Sequence, residues 1–204
     1  GEYIVGSGKL AALIPVFSFD KMQKAIAAKD YAGEFEGIPV IKYESALYGE
    51  VKKPGLGPLH TEFDGKGNAY TSFFVSSEIV KWNIKDLKVL DRASTFYSVG
   101  HLCIPGGDSR KPNPKYLIAY NKITKDRYLP TGPELAQSAQ LFDISGDKMQ
   151  LILDFPTIGE PHYAQAIAAE KIKNNSVKIF KIEENQNPYV SKGEATAKVV
   201  REGN

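Results

Sequence analysis

The residues from Ala69 to Ile84, AYTSFFVSSEIVKWNI, show most plainly how this chain folds. Two runs rich in β-branched and aromatic residues, 69–75 and 79–84, flank the short polar segment Ser76-Ser77-Glu78. Such runs around a three-residue connection are typical of an antiparallel β-hairpin. Comparable runs continue along the chain between turn clusters such as Asp64-Gly65-Lys66-Gly67-Asn68 and Pro105-Gly106-Gly107-Asp108, so we predict an all-β fold.

A weak internal repeat organises these runs. It comprises the strand ends Val16–Asp20, Val80–Ile84 and Gln140–Ile144, which start 64 (80 − 16) and 60 (140 − 80) residues apart, and a further strand-like run at 177–182. Units of this size, each made of several short antiparallel strands, are typical of β-propeller blades with long inserted loops. We therefore expect part of a propeller, with about three to four blades' worth of strands.

One short helix interrupts the strand pattern. We predict that it runs in a loop from Asp20 to about Lys29, with Asp20 as its N-cap. Met22, Ile26 and Ala27 would share one side of this helix.

Composition narrows the classes of partner. Lys plus Arg exceeds Asp plus Glu by only 26 − 24 = 2 and the charges are dispersed, so nucleic acid is excluded as an expected partner. No apolar run approaches the roughly 20 residues that a membrane-spanning helix requires, so we expect no membrane span. The single cysteine, Cys103, excludes an internal disulfide and is interpreted as a small buried residue, not a metal ligand. The chain begins without Met and ends within a strand-like stretch, so we expect a piece of a longer protein.

The three histidines share one local setting. His60, His101 and His162 each follow a Gly or Pro turn and precede a strand-like run. The first strand of each propeller blade lines the central axis, so residues 41 (101 − 60) and 61 (162 − 101) positions apart can converge there. Metal binding is one interpretation of this pattern. Hydrogen-bonded loop or core histidines are the other, because no short ligand spacing is present.

A family resemblance favours the first interpretation. Residues 55–72, GLGPLHTEFDGKGNAYTS, closely resemble a signature stretch of nitrous oxide reductases. Other stretches agree with the same family in the same order: Val80–Asn83, Gly100–Leu102, Asn121–Pro130, Phe142–Asp147 and Glu160–His162. The resemblance covers nearly the whole chain, and residues 200–204 resemble the approach to that family's C-terminal cupredoxin domain.

This resemblance implies a seven-bladed propeller whose axis holds a tetranuclear copper-sulfide cluster with seven histidine ligands, where N2O is reduced to N2 and water. By position, His60, His101 and His162 match three of those ligands, and neutral imidazole suits copper. Lys122 matches a lysine beside the cluster, although an isolated lysine is more often a solvated residue. Glu160 resembles a carboxylate that orients a ligand histidine or the catalytic lysine; the alternative is a surface loop acid.

The same resemblance implies how the intact protein is organised. Residues 1–190 would belong to the N-terminal propeller, and 191–204 would lead to a cupredoxin domain that holds a binuclear copper centre. The protein would be a periplasmic homodimer that receives electrons from a cytochrome c or a cupredoxin, and this segment alone would be inactive. Gln137 stands where many relatives have an acid near a structural cation, so a calcium site at that position is in doubt. The alternative function is a non-catalytic β-propeller that serves as a binding scaffold.

Overall fold

The computed structural model describes residues 1–122, 137–157 and 159–167. Residues 1–166 form one compact unit, and of a second unit, 167–204, only Ile167 is described. The strand predicted at 177–182 and the boundary predicted at residue 190 lie outside the described residues. Within the described part of the chain there are thirteen strands and two helices.

Three antiparallel sheets follow one another in chain order. The first contains β1 (Tyr3–Val5), β2 (Leu13–Ser18) and β5 (Leu47–Lys52). The second contains β6 (Pro58–Phe63), β7 (Asn68–Phe73), β8 (Glu78–Asn83) and β9 (Val89–Ser94). The third contains β10 (Val99–Cys103), β11 (Tyr116–Asn121), β12 (Ser138–Asp143) and β13 (Gln150–Pro156). An insertion between β2 and β5 holds α1 (Phe19–Ala27), the hairpin β3 (Tyr31–Phe35) with β4 (Ile38–Ile41), and α2 (Tyr43–Ala46).

The hairpin predicted at residues 69–84 forms, but the connection between its strands is longer than predicted. β7 ends at Phe73 and pairs with Glu78 at the start of β8, so four residues, 74–77, connect the strands instead of Ser76-Ser77-Glu78. The Ser77 amide donates to the Phe73 carbonyl (2.7 Å), and Ser77 is left-handed with φ of 55°. This bond closes the turn before Phe74 can join the ladder. The turn at Asp64–Asn68 is as predicted: the Asp64 carboxylate accepts from the Lys66 and Asn68 amides (2.7 and 3.0 Å).

The predicted helix begins earlier and faces differently. Its N-cap is Ser18, not Asp20, because Ser18 keeps an extended backbone and its hydroxyl accepts from the Lys21 amide (3.4 Å). Asp20 lies in the first turn and pairs with Lys24 (2.7 Å). The side that carries Met22, Ile26 and Ala27 is not the buried one: Ala25 is the buried residue of the helix and Ile26 is 44% exposed.

The core lies between the sheets. One cluster joins the first and second sheets through Ile14, Val16, Val51, Ala69, Phe73, Val80 and Trp82. Another joins the second and third through Tyr70, Ile79, Val99, Leu102, Ile104, Leu117, Ala119, Phe142, Ile144 and Met149. The second sheet is thus covered on both faces, as a blade between two neighbouring blades is. The predicted all-β partial propeller with a short inserted helix is confirmed.

The internal repeat corresponds to a structural one. β8 and β12, which contain most of the repeated runs at 80–84 and 140–144, are both the third strand of a four-stranded sheet. β2 contains the first three residues of the run at 16–20 and is the middle strand of the three-stranded sheet. Neither helix in the described residues is long and apolar enough to cross a lipid bilayer.

Candidate functional site

His60 and His101 occupy equivalent positions in the second and third sheets. Each is the third residue of the first strand of its sheet, β6 or β10. Between Pro58 and Thr61 the pairing advances three residues on β6 but two on β7, from Phe73 to Thr71. Between Val99 and Leu102 it does the same against β11. Each histidine therefore lies in a one-residue bulge, a feature that redirects a side chain out of the regular alternation.

The bulges bring the two rings into contact, and His162 extends the row. The ring centroids of His60 and His101 are 4.8 Å apart, and those of His101 and His162 are 4.7 Å apart. The prediction that His162 precedes a strand fails within the described residues, because 160–167 form no regular strand or helix. Its side chain is 69% exposed, whereas that of His60 is 25% exposed. His162 therefore reaches the row from an irregular segment.

Burial keeps the inner rings neutral. Burial away from water, together with repulsion from His101 and Lys122, lowers the pKa of His60 to about 4. Burial also lowers the pKa of His101, again with help from Lys122. The Leu102 amide donates to Nδ1 of His60 (2.9 Å), so the proton of the neutral His60 ring lies on Nε2. Nδ1 of His101 is buried and has no hydrogen-bond partner among the described residues.

Lys122 and Glu160 lie at the His162 end of the row. Nζ of Lys122 is 3.1 Å from Nδ1 of His162 and 3.8 Å from Oε1 of Glu160. That Glu160 oxygen is also 3.9 Å from Nδ1 of His162. Burial lowers the pKa of Lys122, while the Glu160 charge opposes that change. The structure therefore groups all five residues singled out in the sequence; their roles as ligands and catalytic groups stay predictions.

Gly100 provides the space for Lys122. A methyl group added at Gly100 would lie 2.3 Å from both Cδ and Cε of Lys122, so the aliphatic chain of Lys122 rests directly on the glycine. The Gly100 carbonyl accepts a hydrogen bond from the Ser72 hydroxyl (2.5 Å), which holds this backbone against the neighbouring sheet. In the sequence Gly100 is notable only as part of the Gly100–Leu102 motif. Its contact with Lys122, 22 residues away (122 − 100), arises only in the tertiary structure.

Two more residues border the row and were missed in the sequence. The Tyr163 ring lies edge-on to His101 and His60, with centroids 5.5 and 6.3 Å away. Glu62 is 5% exposed, and its Oε1 is 4.0 Å from Nε2 of His60. Burial and the Asp108 charge raise the pKa of Glu62 to about 7. Glu62 lies two residues after His60 on β6, and this spacing was the one sequence signal that pointed to it.

Gln137 supports Lys122 through the backbone. Its side-chain amide nitrogen donates to the Lys122 carbonyl (2.8 Å), which ties the end of β11 to the start of β12. A carboxylate at this position could not donate to the Lys122 carbonyl, and the two acceptors would need a cation between them. The Gln137 amide donates to the carbonyl directly. This contact agrees with the doubt about calcium at this position.

The histidine row offers nitrogen donors that suit a soft or borderline metal. Neutral rings and the unpartnered Nδ1 of His101 are suited to soft or borderline metals such as copper. No three His, Cys, Asp or Glu side chains in residues 1–122, 137–157 and 159–167 form a group that could hold one metal ion. His60 would need Nδ1 to exchange the Leu102 amide for the metal, or its proton to move from Nε2.

Comparison with known sequences shows one consistent family. Residues 92–162 match the profile of the nitrous oxide reductase propeller repeat. The nitrous-oxide reductase of Stutzerimonas stutzeri is 34% identical over 187 residues, covering 87% of this chain and 28% of that protein. The enzyme of Cupriavidus necator is 39% identical over 172 residues, covering 79% and 25%. That of Pseudomonas fluorescens is 32% identical over 225 residues, covering 100% and 33%.

Comparison with solved structures bears on the fold. A chain in a crystal structure of the mitotic checkpoint complex superposes with a TM-score of 0.51. The two chains are 10% identical, and the match covers 78% of this chain and 38% of the other. At this identity the likeness concerns the fold alone. The chain spans about a quarter to a third of the length of the curated relatives it matches.

Proposed function

Because this chain belongs to the nitrous-oxide reductase family, we propose that it forms part of the centre that reduces N2O to N2 and water. In this proposal His60, His101 and His162 are copper ligands. The observation that carries the proposal is the row of three imidazoles, drawn together from positions 41 and 61 residues apart. The remaining ligands would come from the rest of the intact protein.

A copper-sulfide cluster bound by this row would supply the two electrons that the reaction consumes. The chain's own residues would manage protons and charge. Cleavage of the N–O bond leaves an oxygen that must take up two protons to leave as water. The Lys122 ammonium, 3.1 Å from Nδ1 of His162, places a positive charge and a proton at the end of the row. Both favour a developing negative oxygen.

Glu160 would hold these groups in position. Its Oε1 lies 3.8 Å from Nζ of Lys122 and 3.9 Å from Nδ1 of His162, so one carboxylate faces both. A carboxylate so placed fixes the orientation of a ligand histidine and keeps the lysine charged. Glu160 is half-exposed, so we expect its contribution to be smaller than that of Lys122.

The family resemblance also suggests how the intact protein would be supplied with electrons and assembled. Electrons would arrive from a cytochrome c or cupredoxin through a binuclear copper centre in a C-terminal cupredoxin domain. The protein would act as a homodimer in the periplasm. The segment described here would be inactive alone, since it would hold only part of the ligand set.

Copper and sulfide analysis of the intact protein tests the proposal. We expect His60→Ala, His101→Ala and His162→Ala each to lose most of the copper and sulfide, because each removes a ligand nitrogen. Tyr163→Phe is the matched control: it keeps a ring against His101 and removes no ligand. If the three histidine variants retain as much copper as this control, the ligand assignment is wrong. A non-catalytic scaffold would be the better account.

A further inference from the structure

A polar cavity adjoins the histidine row, and its lining residues differ in chemistry from the imidazoles. It has a volume of about 170 Å³ and lies among the end of β6, the loop after β10 and the segment after His162. Its polar lining comes from Glu62, Cys103, Asp108, Tyr163 and Gln165. Tyr163 thus borders both the histidine row and this cavity.

One carboxylate oxygen of Glu62 has no hydrogen-bond partner among the described residues. The Glu62 side chain is more than nine-tenths buried, and the oxygen concerned is Oε2. An unpartnered buried carboxylate oxygen is costly, and such oxygens normally face a donor, a water or a cation. The neighbouring backbone leaves room for it: a methyl group at Gly107 would lie 2.0 Å from this oxygen.

A second carboxylate faces the same space. Asp108 is exposed to solvent and also lines the cavity. Tyr163 and Gln165, whose side chains carry neutral oxygen atoms, also line the cavity. None of the described residues that line the cavity is Lys or Arg. The cavity therefore collects oxygen donors and negative charge without a compensating cation from these residues.

We propose that this cavity is a binding site for a hard divalent cation such as Ca²⁺, held between Glu62 and Asp108. Carboxylate, amide and hydroxyl oxygens are the ligands that such cations prefer, and the volume leaves room for bound waters. The site is separate from the position of Gln137, where the amide already occupies the Lys122 carbonyl. It does not depend on copper binding by the histidines.

Terbium luminescence tests this site. Tb³⁺ replaces Ca²⁺ at oxygen-rich sites and emits when a nearby tyrosine is excited, and Tyr163 lines the cavity. In the intact protein after removal of Ca²⁺ with a chelator, we expect saturable Tb³⁺ emission that Ca²⁺ displaces. Glu62→Gln and Asp108→Asn should each weaken Tb³⁺ binding by about 10-fold or more, since each removes one ligand charge.

Asp147→Asn is the matched control. It removes one acid from a different cavity, lined by Asp143, Asp147 and Lys148, and should bind Tb³⁺ as the unaltered protein does. Asp108 is exposed, so Asp108→Asn remains informative even if Glu62→Gln fails to fold. Binding by Asp108→Asn that equals the control would overturn the proposal, as would the absence of saturable emission from the unaltered protein. Asp108→Asn should keep its copper, so this result is read independently of the copper analysis of the histidine variants.

Discussion

Replacement of Gly100 by Ala tests the proposed role of Lys122 without touching Lys122 itself. The added methyl carbon would lie 2.3 Å from Cδ and Cε of Lys122 and 2.8 Å from Cγ. Ordinary carbon contacts begin at 3.4 Å, so the lysine chain must move by at least 3.4 − 2.3 = 1.1 Å. Gly100 does not need the left-handed region, so the alanine backbone itself is unstrained.

This movement is large enough to break the contact between Lys122 and His162. Nζ of Lys122 is 3.1 Å from Nδ1 of His162, and a shift of about 1 Å breaks a hydrogen bond of that length. The Lys122 side chain is only 9% exposed, so few other rotamers are open to it. Misplacement of a charged group by this distance typically costs about 10- to 100-fold in turnover.

The assay is steady-state N2O reduction by the intact protein with an artificial electron donor, with copper analysis in parallel. We expect Gly100→Ala to keep its copper and to lose about 10- to 100-fold in turnover. Gly146→Ala is the control, because no atom of the described residues lies within 4 Å of a methyl group there. In a Lys122→Met background Gly100→Ala should have little further effect, since both changes act on one group. Turnover in Gly100→Ala equal to that of Gly146→Ala would refute the reasoning.

Two further predictions concern the lysine itself and the contact between blades. Lys122→Met keeps the aliphatic packing but removes the charge, so copper should be retained while turnover falls by about 10- to 100-fold; full activity would exclude the lysine from the mechanism. Asp91 joins the second sheet to the third by accepting from the Met149 amide (2.7 Å) and from Lys148 (2.9 Å). Asp91→Ala leaves the Met149 amide unpaired and should lower the free energy of unfolding by about 1–3 kcal/mol in urea titrations, unlike the exposed Asp86→Ala. Burial opposes ionisation of Asp91, but these donors lower its pKa overall. The part of this difference that comes from the charged carboxylate should therefore be full above the unfolded pKa of about 3.9 and be lost as the pH falls through the lower folded value, which leaves the cost of the unpaired Met149 amide. A difference that does not shrink at all in more acidic solution would contradict this assignment.

Local composition determined a large part of the architecture. Runs of β-branched and aromatic residues form strands because their side chains suit a pleated, half-buried surface, and the Asp64–Asn68 turn is closed by its own side chain. These are interactions between near neighbours, so they can be read from the order of residues. The identity and spacing of the three histidines are likewise properties of the sequence. Local patterns were less reliable at boundaries: Ser18 displaced Asp20 as N-cap, and the Ser77 bond lengthened the hairpin connection.

Only the tertiary structure decided how the site is assembled. The bulges at His60 and His101 arise from pairing with neighbouring strands, and a one-residue change of register is invisible in either strand alone. The contact of Lys122 with Gly100 and the hydrogen bond from the Leu102 amide to His60 join segments up to 42 residues apart, and Glu62 is buried by the same packing. Such contacts depend on which blade faces are packed together, and burial then sets the protonation of the rings. The sequence specifies which groups are available, whereas packing between blades determines which of them meet and in what state of charge.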